Sequence, residues 1–291
     1  MLEWTLRQYP NVFRHGPNAY AYLDAARGIA VYVSIPRWWF FREVRFWFPS
    51  DAPAETFEVA VRLAMQVSKR LRCEVWDGQL DMQLTEDSVS DARQRFLEWR
   101  QMRREPAEHA DEAIAREWIV RGQVAEATGQ LVLAIERYRK VLELTVSDVT
   151  KARAWSEMGV CYWLSDSIMD AIGCLRTSLN MVRLPQAEVA LAALYVMHDL
   201  RDRFDEAEQL LNHALSVEPH FPLAYFIRCA LRLEQGRVEE ARHALTVARM
   251  LWRKQQRMGT LPPGATAHRI VRMCRMMERS LERKRFEEHR R

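Results

Sequence analysis

The chain has 291 residues and is poor in the residues that punctuate or cross-link structure: ten glycines, eleven prolines and five cysteines. So little glycine and proline excludes collagen-like and low-complexity classes. The cysteines, Cys73, Cys161, Cys174, Cys229 and Cys274, are dispersed with no CxxC pair. That excludes a disulfide framework and a structural zinc site, and no metal is expected. Cys161, Cys174 and Cys229 read as small core residues. No stretch of ~18 apolar residues is free of charge, so no membrane-spanning helix is expected. P-loop, GxGxxG, HExxH and GxSxG motifs are absent, and the eight histidines are scattered, His198 and His213 among them. An enzyme is therefore not expected, nor a cofactor. Asp77 and Asp81 are the nearest approach to a carboxylate pair, and a polar turn explains them equally well. Residues 1–10 show no basic segment followed by an apolar run, so a cytoplasmic location is expected.

What is present is an ordinary globular composition, 48% hydrophobic and 28% charged, with a net charge of +4. The charge is unevenly placed. Residues 249–291 hold 13 Lys or Arg against 4 Asp or Glu, a balance of +9, which leaves −5 for the rest. Glu278, Glu282, Glu287 and Glu288 interleave with the basic tail, so it reads as a solvated helix end, and no specific nucleic-acid binding is expected.

Strand-like periodicity dominates the first 85 residues. Ile29–Ile35 is β-branched and aromatic and stops at Pro36; residues 42–48 alternate and stop at Pro49; Tyr20–Leu23 adds a further strand. Ser50-Asp51-Ala-Pro53 reads as a helix start with a capping side chain, and Phe57, Ala60, Val61, Ala64, Val67 and Leu71 then share one face. Asp77-Gly78 between Cys73–Trp76 and Gln79–Leu84 reads as a two-residue hairpin. Residues 1–85 are thus expected to be a small α+β domain, a sheet with one helix on it. Trp38-Trp39-Phe40-Phe41 reads as a bend whose rings cover the sheet, with some ring area left exposed. Residues 86–114 read as connecting helices, beginning with Ser88–Arg104.

Helical periodicity follows, in four tandem segments. Trp118, Gly122, Gly129, Ala134 and Tyr138 mark the first; Trp155, Gly159, Tyr162 and Ala171 the second. Phe204, Glu206, Ala207, Ala214 and Pro219 mark the third; Tyr225, Gly236, Glu240, Ala241 and Ala248 the fourth. The alanines opening each second helix step 134→171, 171→207 and 207→241, or 37, 36 and 34 residues. The third segment departs in carrying Tyr195 where a small residue is usual, the fourth carries Cys229 there, and the second has Asp166 at the turn glycine. Residues 256–291 are a linker, Met258 to Gly264, and a basic helix over Ala265–Arg285 with Ile270, Val271, Cys274, Met277 and Leu281 as an apolar stripe.

Over residues 115–255 this pattern resembles the tetratricopeptide repeat. The resemblance implies an all-α array of helix pairs, closed by the C-terminal helix as a cap, and a binding scaffold rather than a reaction centre. It also implies that the first helix of each pair lines a groove. Carried onto this chain, the partner-binding residues expected are Ile119, Gln123, Val160, Trp163, Val189, Val196, Leu200, Leu223, Phe226 and Leu233, with Leu164 beside Trp163. The groove lacks the Lys and Asn of repeats that clamp an acidic C-terminal tail. It is apolar and suits a helical or extended hydrophobic segment of another protein or peptide. The expected function is a non-catalytic bacterial adaptor or chaperone, with a homo-oligomer compatible. The alternative is a regulatory or immunity-type protein whose α+β domain is the recognition surface and whose repeats are scaffold.

Overall fold

The computed structural model describes residues 11–16, 19–34, 44–49, 51–77, 82–102 and 110–258. The chain divides into two compact units, Met1–Val146 and Ser147–Arg291. The Trp38–Phe41 run and residues 259–291, with the expected capping helix, lie outside the described residues.

In the first unit, β1 (Val12–Gly16), β2 (Ala19–Asp24), β3 (Ile29–Ser34) and β4 (Arg45–Trp47) form an antiparallel sheet in that order. Its register aligns Val12 with Tyr22, Tyr22 with Val31, and Val33 with Phe46. On one face, Ile29, Val31 and Val33 pack under Val59, Ala60, Leu63 and Val67 of α1 (Glu55–Leu71). On the other, Ala21, Leu23, Ala30 and Tyr32 pack on Val124 and Ala127 of α3 (Ala110–Ala127). Both faces of β3 are therefore covered, which is why its sequence is a continuous apolar run and not an alternation. The expected one-helix sheet has two helices, and the second belongs to the first repeat. At the β2–β3 turn, Arg137 reaches in and donates to the carbonyls of Ala26 (3.0 Å) and Arg121 (2.7 Å).

Two local expectations change. The helix start near Ser50 is Glu55, and the residue before it, Ala54, makes no side-chain cap. The two-residue hairpin at Asp77-Gly78 is replaced by a pairing of β5 (Trp76–Asp77) with β6 (Met82–Gln83), in which Asp77 faces Met82 across a four-residue connection. β1 was not foreseen. After β6, α2 (Val89–Met102) lays Ala92 and Phe96 against Phe57 and Val61 of α1.

The rest is helical and follows the tetratricopeptide-like plan. α3 pairs with α4 (Leu131–Leu142) in the first unit. In the second unit α5 (Asp148–Leu164) pairs with α6 (Ile168–Met181), α7 (Pro185–Met197) with α8 (Phe204–Val217), and α9 (Pro222–Glu234) with α10 (Val238–Met258). Ala134, Ala171, Ala207 and Ala241 are all fully buried, as the pattern requires. Among the described residues no helix is long and apolar enough to cross a membrane.

Tight crossing explains the small residues. A Cβ built on Gly122 would lie 2.4 Å from the buried Tyr138 ring, whereas one on Gly173, within α6, would meet nothing within 4 Å. Gly122→Ala should therefore lower stability by about 1–3 kcal/mol through overpacking. Gly173→Ala should raise it by up to about 1 kcal/mol, since an exposed helical glycine wastes chain entropy. Urea midpoints of the two variants, moving in opposite directions about the parent, check the pair.

Candidate partner-binding surface

The turn inside each helix pair fixes the register of the groove. In each pair the chain leaves its first helix through a left-handed residue: Gly129 (φ 78°), Asp166 (φ 63°), Asp199 (φ 52°) and Gly236 (φ 74°). These steps are 129→166, 166→199 and 199→236, or 37, 33 and 37 residues. The opening alanines instead step 37, 36 and 34. The two series differ because the third pair inserts one 3-10 turn, Arg201–Arg203, between its left-handed residue and α8. Register counted back from Ala207 is therefore three residues off on α7.

Counted from the turns, Ala192 stands where Gly122 and Gly159 stand, and Tyr195 where Tyr162 stands. The apparent departure of the third segment is thus an insertion, and its small and aromatic residues are in place. The groove positions on α7 become Gln186, Val189, Ala193, Val196 and Met197. Leu200 is past the helix end, and Met197 was missed. The signal for it was available: Pro185 and Pro222 both open their helices, at the same 37-residue step as the turns.

Burial divides the expected site residues. Ile119, Val189, Val196, Phe226 and Leu233 are interior, each at 5% exposure or less. All five are core; for Val189 and Val196 the reason is that α7 is apolar nearly all round, and a helix of that kind is buried on all sides. Gln123, Val160, Trp163, Leu200 and Leu223 are half-buried; the last four pack on the edge of the second unit's core. At the turn end of α5, α6 and α7 three large apolar residues are exposed: Leu164 at 36%, Met197 at 37% and Met169 at 79%. The Trp163 indole N–H donates to His198 Nε2 at 3.1 Å, joining the end of α5 to the end of α7. Trp163, Leu164, Met169 and Met197 thus form an apolar rim across two helix pairs.

Two buried charges sit where the repeat elsewhere carries an aromatic. Glu188, fully buried, holds the place of Trp118, Trp155 and Tyr225. It accepts from Arg183 (2.6 Å) and contacts His213 Nδ1 on α8 (2.7 Å). Arg232, nearly buried, holds the place of Tyr162 and Tyr195. It donates through both terminal nitrogens to Glu208 on α8, to Gln235 (2.7 Å), and pairs with Glu240 at 3.1 Å. The hydrogen bond from Arg232 holds the Glu208 carboxyl below its ordinary range, against a smaller opposing effect of burial. These groups are answered by one another. Among the described residues no group of three or more His, Cys, Asp or Glu could hold a metal ion.

No family model matches the chain, and no curated protein does. Among solved structures it is similar to a crystal structure of MamA, at 18% identity over 69% of this chain and 92% of that one, with a TM-score of 0.40. It is also similar to YrrB, described as a TPR protein with an unusual peptide-binding site, at 13% identity over 68% and 93% with a TM-score of 0.38. The TPR2AB domain of yeast Sti1 with an HSP90 peptide matches at 15% over 77% and 93%, with a TM-score of 0.34. The tetratricopeptide-like assignment rests on the helix pairs and their turns.

Two outcomes are expected. Phe226→Ala should cost about 3–5 kcal/mol, as for a truncated core aromatic, while Leu164→Ala should cost under about 1 kcal/mol; thermal melts separate floor from rim. Because the Glu208 carboxyl is depressed in the folded chain, its contribution is present above the ordinary carboxylate range and is lost as pH falls through the depressed value. The urea-midpoint difference between the parent and Glu208→Gln should therefore be largest near neutrality and shrink below about pH 4. A difference constant with pH would contradict the Arg232 pairing.

Proposed function

We propose that the chain is a non-catalytic adaptor or chaperone-like protein that binds a segment of another polypeptide at the turn-end rim of its repeats. The observation that carries this is the apolar rim itself. Trp163, Leu164, Met169 and Met197 are drawn from the turn ends of three helices, where the Trp163–His198 hydrogen bond joins α5 to the end of α7, and Leu164, Met169 and Met197 are left exposed. Methionine suits such a surface because its unbranched, polarisable side chain repacks around varied ligands. The buried floor is excluded from contact, so recognition uses the rim with the half-buried Val160 and Leu200 alongside. The buried thiols of Cys161, Cys174 and Cys229 pack as small apolar residues, which supports a reducing, cytoplasmic setting.

The alternative, recognition by the sheet-bearing region, is favoured by Trp47 and Trp76, which are exposed, Trp47 stacking on Tyr32 at 4.4 Å between ring centroids. A client captured by the full chain and cross-linked to it decides between them. Combined Leu164→Ala and Met197→Ala substitution should weaken that client by about 2–4 kcal/mol with little loss of thermal stability. Combined Trp47→Ala and Trp76→Ala should leave it unchanged. The reverse pattern would assign recognition to the sheet-bearing region.

A further inference from the structure

The rim carries a charge pattern that narrows the partner, and this step rests on the rim being the binding surface. Four acids surround it: Asp166 and Asp170 on the α5–α6 side, Asp199 and Asp202 on the α7–α8 side. The second pair is answered, Asp199 by Arg201 at 2.9 Å and Asp202 by Arg203 at 3.3 Å. Arg201 also reaches toward Glu234, at 4.0 Å. Asp166 and Asp170 make no ion pair among the described residues, and both are exposed. Asp166 sits at the left-handed turn directly after Trp163 and Leu164, its N–H bonded to the Trp163 carbonyl at 3.1 Å. Asp170 is in the first turn of α6, next to the exposed Met169. The apolar strip is thus flanked on one side by acids that have no basic partner among the described residues and on the other by neutralised pairs. The Trp163 N–H is already engaged by His198, so the ring offers its apolar surface.

We infer that the rim takes a basic amphipathic helix of a partner protein, its apolar stripe on Trp163, Leu164, Met169 and Met197 and its Lys or Arg side chains over Asp166 and Asp170. An acidic or neutral helix would place its flank against two unpaired carboxylates. Complementarity of this kind selects partners more than it adds raw affinity.

The test uses two labelled helical peptides of about 18 residues, long enough to hold a helix. Both carry the same Leu stripe; one has Lys and the other Glu at the remaining charged positions. Binding to the full chain is read by fluorescence anisotropy at low salt, where surface charge is least screened. The Lys peptide should bind roughly tenfold or more tightly than the Glu peptide, Asp166→Asn with Asp170→Asn should remove most of that preference, and Trp163→Ala should weaken both. Equal binding of the two peptides, or a preference untouched by the Asn substitutions, overturns the inference. If Trp163→Ala still weakens both peptides in that case, the rim remains the binding surface and only the choice of a basic partner falls. If the parent chain binds neither peptide, both fall. Binding seen only in a full chain carrying Ile270→Glu and Met277→Glu would mean that its own basic segment holds the rim, which also overturns a foreign partner.

Discussion

Each helix pair in this protein depends on one short contact: a residue of minimal side chain in the first helix against the opening turns of the second. At Gly159 an added Cβ would sit 3.2 Å from the Ala171 carbonyl and 2.8 Å from Leu175. Glycine at this place and alanine at Ala171 therefore set how closely the helices approach. Once they are that close, the residue four before and the one three after have nowhere to go but into the neighbouring elements. Aromatics fill the first of those places in three pairs and the second in two, and the burial of a continuous core through the second unit follows.

Glu188 and Arg232 occupy two of those filling places, and each brings its own partners. A buried charge contributes little net stability, because desolvation offsets the attraction, but stripping its partners is expensive. Glu188 is answered from the preceding loop by Arg183 and from α8 by His213; Arg232 is answered from α8 by Glu208 and from α10 by Glu240. Glu188 thus ties α7 to α8 within the third pair, and Arg232 ties the fourth pair to the third, through directional bonds where an aromatic would have packed in several ways. The cost of burying them is offset by a defined register, at the place where the inserted 3-10 turn would otherwise leave it free to slip.

The repeat was legible in the sequence because its constraints are local and recur: a small residue, an aromatic and an alanine at set offsets within each pair. The helices, their order and the four buried alanines could all be read that way. The insertion at Arg201–Arg203 could not be read from alanine spacing, since extra residues in a turn move the marker without changing its packing. It displaced the groove residues on α7 by three, so that Leu200 stood in for Met197. In the first unit, β1 was illegible because Val12–Gly16 is a short edge strand with Phe13 and Arg14 exposed. The helix on the second face of the sheet was illegible for a different reason. Its partners, Val124 and Ala127, lie about a hundred residues beyond Ala21 and Leu23, and no local pattern records a pairing at that separation.

The same close packing explains why the groove floor carries no exposed apolar area while the turn ends do. α7 carries Ala187, Ala190, Ala192 and Ala193, all buried, so its neighbours can close on it from every side. A floor so tightly closed leaves no side chain free to repack around a ligand. At the turn end the backbone reverses through left-handed residues, the helices can no longer interdigitate, and the last side chains of α5 and α7 project past their neighbours. Leu164 and Met197 are exposed, and Trp163 only half-buried, because the geometry that buries the rest of their helices ends there. A partner approaching this unit therefore meets adaptable side chains only where the packing rule of the repeat runs out.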